Sequence, residues 1–182
     1  MKRKCTQLLS EEHRIILRIV DVLVAIADES ERKSQLNAAD VAGILEILRV
    51  FGDEYHQGKE EAGLFPVFTA VCDRTEVEAV RHMILEHDDD RFLIGALEDA
   101  ARESNTADFT LHARKLAEIQ RMHVYKEDNI LFKIVNKSLS VENDQQILAA
   151  FRTFDDRFKS PRHDRLLHRL EMLEWKYMRV VA

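Results

Sequence analysis

Glycine and proline are scarce in this sequence, with 5 glycines and 2 prolines among 182 residues. Both residues interrupt helices, glycine through its flexibility and proline because it lacks an amide hydrogen. Their scarcity therefore indicates long helices joined by short connections. A chain of this length can form one domain with a full hydrophobic core.

Cysteines and long apolar runs are scarce as well. Cys5 and Cys72 lie far apart and fit neither a zinc-binding nor a redox-motif spacing, so two free thiols are expected and a disulfide between them is the alternative. No apolar run approaches membrane-spanning length, and none follows the basic start at residues 1–4, so no membrane partner and no signal peptide are expected. These absences together predict a cytoplasmic protein.

An excess of positive charge is also absent. The chain has 33 acidic against 27 basic residues, a net charge of -6, and no basic patch stands out. Proteins that bind phosphate backbones show such a patch, so no nucleic-acid partner is expected.

Hydrophobic periodicity predicts four long helices. Ser10 is expected to cap the first helix, Pro66 to end or bend the second, and Thr75 with Glu78 to form the capping box of the third. The predicted helices cover residues 10–28, 38–63, 75–102 and 107–135.

Four long helices with short loops favour an all-α protein, an up-down-up-down four-helix bundle. Two further helices, over residues 141–158 and 162–178, are predicted to pack against it. The chain would then divide into a bundle over residues 1–138 and a C-terminal helical extension over residues 139–182.

One ten-residue phrase occurs twice. Residues 56–65 read HQGKEEAGLF and residues 123–132 read HVYKEDNILF, so both have the form H-x-x-K-E-acid-x-x-L-F. A histidine and a glutamate four residues apart lie on one face of a helix. The shorter phrases Glu12-His13 and Glu86-His87 add a histidine to the first and third helices. The chain is therefore interpreted as two similar αα-hairpins related by a pseudo-two-fold axis.

These repeats predict a site for two metal ions. Carboxylates can bridge two cations and cancel much of their charge, and imidazoles suit iron, manganese and zinc alike. Water, hydroxide, oxo or a small ligand would complete the coordination. The predicted metal ligands are one histidine from each helix and one glutamate from each long repeat: His13, His56, His87, His123, Glu60 and Glu127.

Asp128 is the alternative to Glu127. It lies about 140° around the helix from His123, whereas Glu127 lies about 40° away and is preferred. Tyr55 is interpreted as a core residue, and the alternative is that Tyr55 or Tyr125 reaches the metal site. Four charged residues of the repeats are interpreted as solvated, namely Lys59, Lys126, Glu61 and Asp128. The remaining histidines are interpreted as structural or exposed, namely His82, His112, His163 and His168.

The pattern resembles the hemerythrin-like family, also called the HHE cation-binding domain, over residues 8–136. The form H-x-G-K-E-E-x-x-L-F-P at residues 56–66 is specific to that family. The resemblance implies a four-helix bundle around two iron ions with an oxo or hydroxo bridge, although zinc or manganese could occupy the same ligands. It also implies that the four histidines are terminal ligands and that Glu60 and Glu127 are bridges.

The chain departs from the oxygen carriers that it resembles. They have a fifth histidine four positions before the one that corresponds to His87, and Met83 stands there in this sequence. Their last bridge is an aspartate, which Asp128 could mimic, whereas H-x-x-x-E is more similar to bacterial and iron-sensing members. These departures favour redox chemistry, sensing or iron handling over reversible oxygen carriage.

Several functions remain open at this point. The preferred interpretation is a module that binds or senses O2, redox state or iron and acts on a second copy or a signalling partner through its C-terminal helices. The alternatives are an enzyme that acts on hydrogen peroxide or another small oxidant, an iron buffer or nitric-oxide-related stress protein, and a bundle without metal. No catalytic residue and no organic cofactor site is predicted.

Overall fold

Helices form most of the structure. A computed structural model describes residues 4–158 and 161–178, and no strand occurs within them. The α-helices are α1 (Cys5–Lys33), α2 (Ala38–Ile47), α3 (Phe65–Thr69), α4 (Arg74–Arg102), α5 (Thr106–Lys126), α6 (Phe132–Ser138), α7 (Val141–Phe158) and α8 (Pro161–Tyr177).

Short π-helical segments connect some of these helices without a break. Leu48–Gln57 and Glu60–Leu64 lie between α2 and α3, and Glu127–Leu131 lies between α5 and α6. The chain therefore forms four long helical rods, α1, α2 to α3, α4, and α5 to α6. They confirm the predicted all-α bundle with additional C-terminal helices.

Two predicted helix starts are wrong. The first helix begins at Cys5 rather than at Ser10, whose hydroxyl instead donates to Asp128 at 2.6 Å. The third begins after Asp73, which forms the capping box with Glu76 that the sequence analysis assigned to Thr75 and Glu78. The amide of Cys5 donates to the side chain of Asp144 in α7, and the amide of Glu76 donates to the side chain of Asp73, so the first turn of each helix has partners at these earlier starts.

Pro66 does not end its helix, although the sequence predicted that it would end or bend there. The amide of Phe65 donates to the carbonyl of Glu60, five residues back, which is the hydrogen bond of a π-helical turn. Pro66 follows in the first turn of α3, where its missing amide hydrogen is not needed. The helix therefore continues to Thr69.

The candidate metal ligands lie between two hydrophobic clusters. One cluster occupies the loop end of the first hairpin and includes Ile16, Leu23 and Phe109. The other surrounds the opposite end and includes Leu9 and Phe68. Polar side chains between these clusters are buried, so each requires a partner of its own.

The C-terminal helices cover the first hairpin. α7 packs on α1, α3 and the segment Glu60–Leu64, and α8 packs on α1 and α2. A Cβ atom on Gly58 would lie 2.8 Å from the ring of Phe154, and one on Gly63 would lie 2.9 Å from the ring of Phe151. The two glycines therefore allow α7 to approach closely.

α6 ends at Ser138 and α7 begins at Val141, next to the predicted division of the chain, which stays a prediction. Within the described residues, none of the helices combines the length and the apolar character required to cross a membrane.

Candidate metal centre

Six buried side chains meet between the hydrophobic clusters. Each rod contributes one histidine, and all four imidazoles are almost completely buried. Glu60 and Glu127 are completely buried. Potential ligand atoms within 4.8 Å of one another form two groups, which are His13, His56, Glu60 and Glu127, and Glu60, His87, His123 and Glu127.

Glu60 and Glu127 belong to both groups, so each carboxylate is placed where it could bridge two ions. The Nε2 atoms of the histidines face these carboxylates. Nε2 of His13 lies 3.0 Å from Glu127, and Nε2 of His87 lies 3.3 Å from Glu60. The Nε2 atoms of His87 and His123 are themselves only 3.3 Å apart. Such a convergence of nitrogen and carboxylate oxygen suits a transition-metal ion.

Several of these buried atoms have no hydrogen-bond partner among the described residues. They are Nε2 of His56, both carboxylate oxygens of Glu60, and Oε1 of Glu127. Leaving one buried polar atom unpaired costs about 1–3 kcal/mol. Two metal ions would supply partners for these atoms, so the residues present fit a two-metal centre.

Both glutamates begin a π-helical segment. The amides of Phe65 and Phe132 donate to the carbonyls of Glu60 and Glu127, five residues back in each case. A π-helical turn is wider than an α-helical turn and occurs often at functional sites. Both repeated phrases therefore form the same π-helical turn, and the first residue of each turn is a glutamate buried in the interior.

Each imidazole also has a carboxylate partner on its outer nitrogen, Nδ1. The four pairs, with their separations, are His13 and Asp128 at 2.9 Å, His56 and Glu12 at 3.0 Å, His87 and Glu61 at 2.8 Å, and His123 and Glu86 at 2.9 Å. Such partners orient a metal-binding imidazole and determine which nitrogen carries the hydrogen.

These partners were not predicted from the sequence. Glu61 and Asp128 were expected to be solvated, but both are half-buried and each contacts a histidine. Glu12 and Glu86 were noted only as neighbours of histidines. The signal was the repeated Glu-His pair, because adjacent residues on a helix point in different directions and the glutamate therefore reaches a histidine of another helix.

Two lysines extend these networks. Lys59, predicted to be solvated, is buried, and its Nζ lies 2.7 Å from Glu12 and 2.8 Å from Asp155 of α7. A buried ammonium group requires such carboxylate partners. Lys126 pairs with Glu86 in the second hairpin, and its side chain is 32% exposed.

The carboxylates make the site favourable for a cation. Burial lowers the pKa of His13, but hydrogen bonds to Asp128 and Glu127 outweigh it and raise this pKa to about 10. Burial likewise lowers the pKa of His87, and Glu60 is the main cause that raises it to about 9. A metal ion bound to these nitrogens would replace the proton, so metal binding would release protons.

The remaining histidines, Tyr55 and Tyr125 lie outside the two groups. His82 and His168 are exposed and His112 is half-buried, while His163 contacts the ring of Phe51. The hydroxyl of Tyr55 donates to Asp155, and Tyr125 is mostly exposed. Cys5 and Cys72 are free thiols, as the preferred interpretation held.

Comparison with protein families identifies one match. The family model described as the hemerythrin HHE cation binding domain matches residues 6–135, which is more than half of the chain. The match includes all six side chains of the two groups and ends before α7. A search of curated proteins and a search of solved structures found no match.

Proposed function

We propose that this chain, which belongs to the hemerythrin HHE cation-binding family, holds two iron ions and through them binds or senses O2, redox state or iron. The observation that supports it most directly is that Glu60 and Glu127 are shared by both ligand groups. Each histidine would then bind one ion, with His13 and His56 holding one and His87 and His123 the other. Glu127, which belongs to both ligand groups, is preferred to Asp128 as the second bridge.

The four outer carboxylates prepare the histidines for metal binding. An ionised carboxylate only accepts hydrogen bonds, so a neutral imidazole beside it carries its hydrogen on Nδ1. This leaves the lone pair of Nε2 directed into the centre, where a metal ion would bind. When bound, the two iron ions would supply redox chemistry and coordination positions for a small ligand.

A chain of contacts connects the centre to the C-terminal extension. His56 contacts Glu12, Glu12 pairs with Lys59, and Lys59 pairs with Asp155 of α7. A change at His56 on metal binding or oxidation would alter the charge around Glu12, and through Lys59 it would alter the ion pair with Asp155. This connection supports a sensing role, in which the C-terminal helices pass the state of the centre to a partner.

The function can be tested with iron and air. Protein freed of metal is loaded with ferrous iron without oxygen, air is admitted, and the visible spectrum is recorded over time. A stable absorption that disappears again under vacuum would indicate reversible O2 binding. Prompt and irreversible conversion to a ferric spectrum would indicate redox sensing. No spectral change and no bound iron would contradict the proposal.

The sensing role has a separate test. Limited proteolysis of residues 139–182 is compared for the metal-free, ferrous and ferric proteins. We expect the cleavage rate to depend on the state of the centre, because Lys59 connects His56 to α7 through Glu12. Equal rates in all three states would contradict a sensing role while leaving metal binding intact.

A further inference from the structure

A second buried polar cluster lies beside the candidate centre, formed by Gln57, Asp90 and Gln120. All three side chains are buried, and the carboxyl group of Asp90 is completely so. The side-chain amides of Gln57 and Gln120 both donate to the same oxygen of Asp90, Oδ2. Neither glutamine nor Asp90 was singled out from the sequence, since none is one of the histidines and glutamates that repeat at ligand spacing.

The cluster contains two acceptors without a donor. Oδ1 of Asp90 and Oε1 of Gln57 are buried and have no hydrogen-bond partner among the described residues. Each unpaired acceptor carries a free-energy penalty of about 1–3 kcal/mol. Most buried polar atoms in folded proteins have a partner, so two such atoms on neighbouring side chains indicate a donor that occupies this place.

The cluster lies beside histidines of both ligand groups. Gln57 follows His56 directly, Asp90 lies one helical turn after His87, and Gln120 lies one turn before His123. Burial raises the pKa of Asp90 to about 7, and charge on the two histidines of the second group acts against that shift. The carboxyl group is thus within electrostatic reach of the centre.

We infer that Gln57, Asp90 and Gln120 form a subsite for a small neutral hydrogen-bond donor at the metal centre, and that hydrogen peroxide is the oxidant this subsite selects. The inference rests on the proposed function. Hydrogen peroxide has two O–H groups for the two unpaired acceptors, and water would occupy the place in its absence. O2 has no hydrogen to donate, and an anion such as azide would face the acceptor oxygens of the cluster.

Asp90→Asn tests this subsite with little change in shape. The new amide group can donate to Oε1 of Gln57 while its oxygen accepts from Gln120. The variant therefore satisfies the cluster without a bound donor. Thr110→Val is the matched control, because Thr110 is a buried polar residue of α5 that lies roughly 20 Å from His123 along the helix.

The measurement uses the iron-loaded, oxidised protein. Hydrogen peroxide and azide are mixed rapidly with it, and the concentration that gives half of the initial absorbance change is determined for each. For Asp90→Asn we expect this concentration to rise about tenfold for peroxide, which corresponds to about 1.4 kcal/mol. For azide we expect it to stay unchanged or fall. Thr110→Val should alter neither value.

Equal shifts for peroxide and azide, or no shift for peroxide, would overturn the inference and leave the proposed function standing. Failure of the wild type to bind iron would instead contradict the proposed function. A crystal structure of the zinc-loaded wild type gives a second readout that requires no variant. We expect a water molecule between Oδ1 of Asp90 and Oε1 of Gln57. A direct hydrogen bond between these two oxygens, as in a protonated acid–amide pair, would overturn the inference.

Discussion

The two hairpins hold the candidate centre in the same way but are covered differently. In the first, the lysine of the repeated phrase, Lys59, is only 2% exposed and pairs with Glu12 and with Asp155 of α7. In the second, the corresponding Lys126 is 32% exposed and has one carboxylate partner, Glu86, among the described residues. The same residue therefore anchors α7 in one half and lies near the surface in the other.

The surface beside Lys59 is covered by α7, whereas the surface beside Lys126 is exposed. Gly58 and Gly63 lie against the phenylalanine rings of α7, whereas the corresponding residues of the second repeat are Tyr125 and Ile130, both mostly exposed. Both halves nevertheless provide the same histidines, glutamates and outer carboxylates. The candidate metal centre is therefore built from these polar positions in both halves, while Gly58 and Gly63 allow the close approach of α7.

The interior also departs from two-fold symmetry. Asp90 follows His87 by three residues, and the residue at the same distance from His13 is Ile16. Gln57 corresponds to Val124 in the second repeat. The positions that correspond to Asp90 and Gln57 under the two-fold relation are therefore apolar, which places the proposed subsite for peroxide on one side of the centre.

Substitution of the two glutamates that belong to both ligand groups should have the largest effect. Glu60→Gln and Glu127→Gln each remove a carboxylate from both ligand groups, so either should abolish stabilisation by metal. Metal at a thousand times its dissociation constant contributes about 4 kcal/mol, or on the order of 10 °C in Tm for a chain of this size. Thermal unfolding with and without metal measures this difference. Glu54→Gln, an exposed change in the same rod, is the control, and an unchanged metal effect in the Glu60 and Glu127 variants would contradict the shared site.

Removing the two lysines compares the halves directly. Lys59→Met leaves Glu12 without its buried ammonium partner, and we expect the free energy of unfolding to fall by about 3 kcal/mol. Lys126→Met breaks a partly exposed pair and should cost less than about 1 kcal/mol. Urea unfolding of both variants measures the difference. An equal fall in the free energy of unfolding for both variants would show that the packing of α7 over Lys59 does not strengthen its ion pairs.

The pH dependence of stability tests the charge of the centre in both halves. In the folded protein the pKa values of His13 and His87 are raised to about 10 and 9. Without metal, the contribution of these histidines to the free energy of unfolding is therefore complete below their unfolded pKa of about 6.5. It is lost as pH rises through the folded values. From about pH 6.5 to 8 the free energy of unfolding of the metal-free protein should fall by about 2 kcal/mol for each of these histidines. Stabilisation by metal should grow over the same range, because binding releases protons. Unfolding at several pH values measures both, and a metal-free stability that rises with pH would contradict this reasoning.

Substitution of the glycines under α7 should have the smallest effect. Gly63→Ala places a Cβ atom against Phe151, and overpacking should outweigh the gain in helix propensity, for a net loss of about 1 kcal/mol. Gly52→Ala, in the same rod with no atom within 4 Å of the new Cβ, should instead gain up to about 1 kcal/mol. Urea unfolding determines both signs, and stabilisation by both changes would mean that α7 does not pack closely on Gly63.

The sequence was informative where one residue type repeats at helical spacing. The histidines and glutamates of the two repeats could be found because both copies have the same spacing, and the scarcity of glycine and proline indicated long helices. The helix starts were less certain, because Asp73 and Thr75 both fit the pattern of a capping residue and only the hydrogen bonds distinguish them.

The contacts between distant segments could not be predicted from spacing. Burial of Lys59 depends on Asp155, 96 positions later in the chain, and on the docking of α7. The cluster of Gln57, Asp90 and Gln120 joins three rods, and none of its members repeats. Such contacts arise from tertiary packing, which local periodicity does not encode.

The central claim is that the two hairpins together hold two metal ions through shared glutamates. The most direct test is the number of metal ions bound per chain, measured by anaerobic titration with ferrous iron followed by elemental analysis. We predict two bound ions per chain for the wild type and fewer than two for Glu60→Gln and for Glu127→Gln. A wild type that binds no metal, or the same loading in the wild type and both variants, would contradict the account.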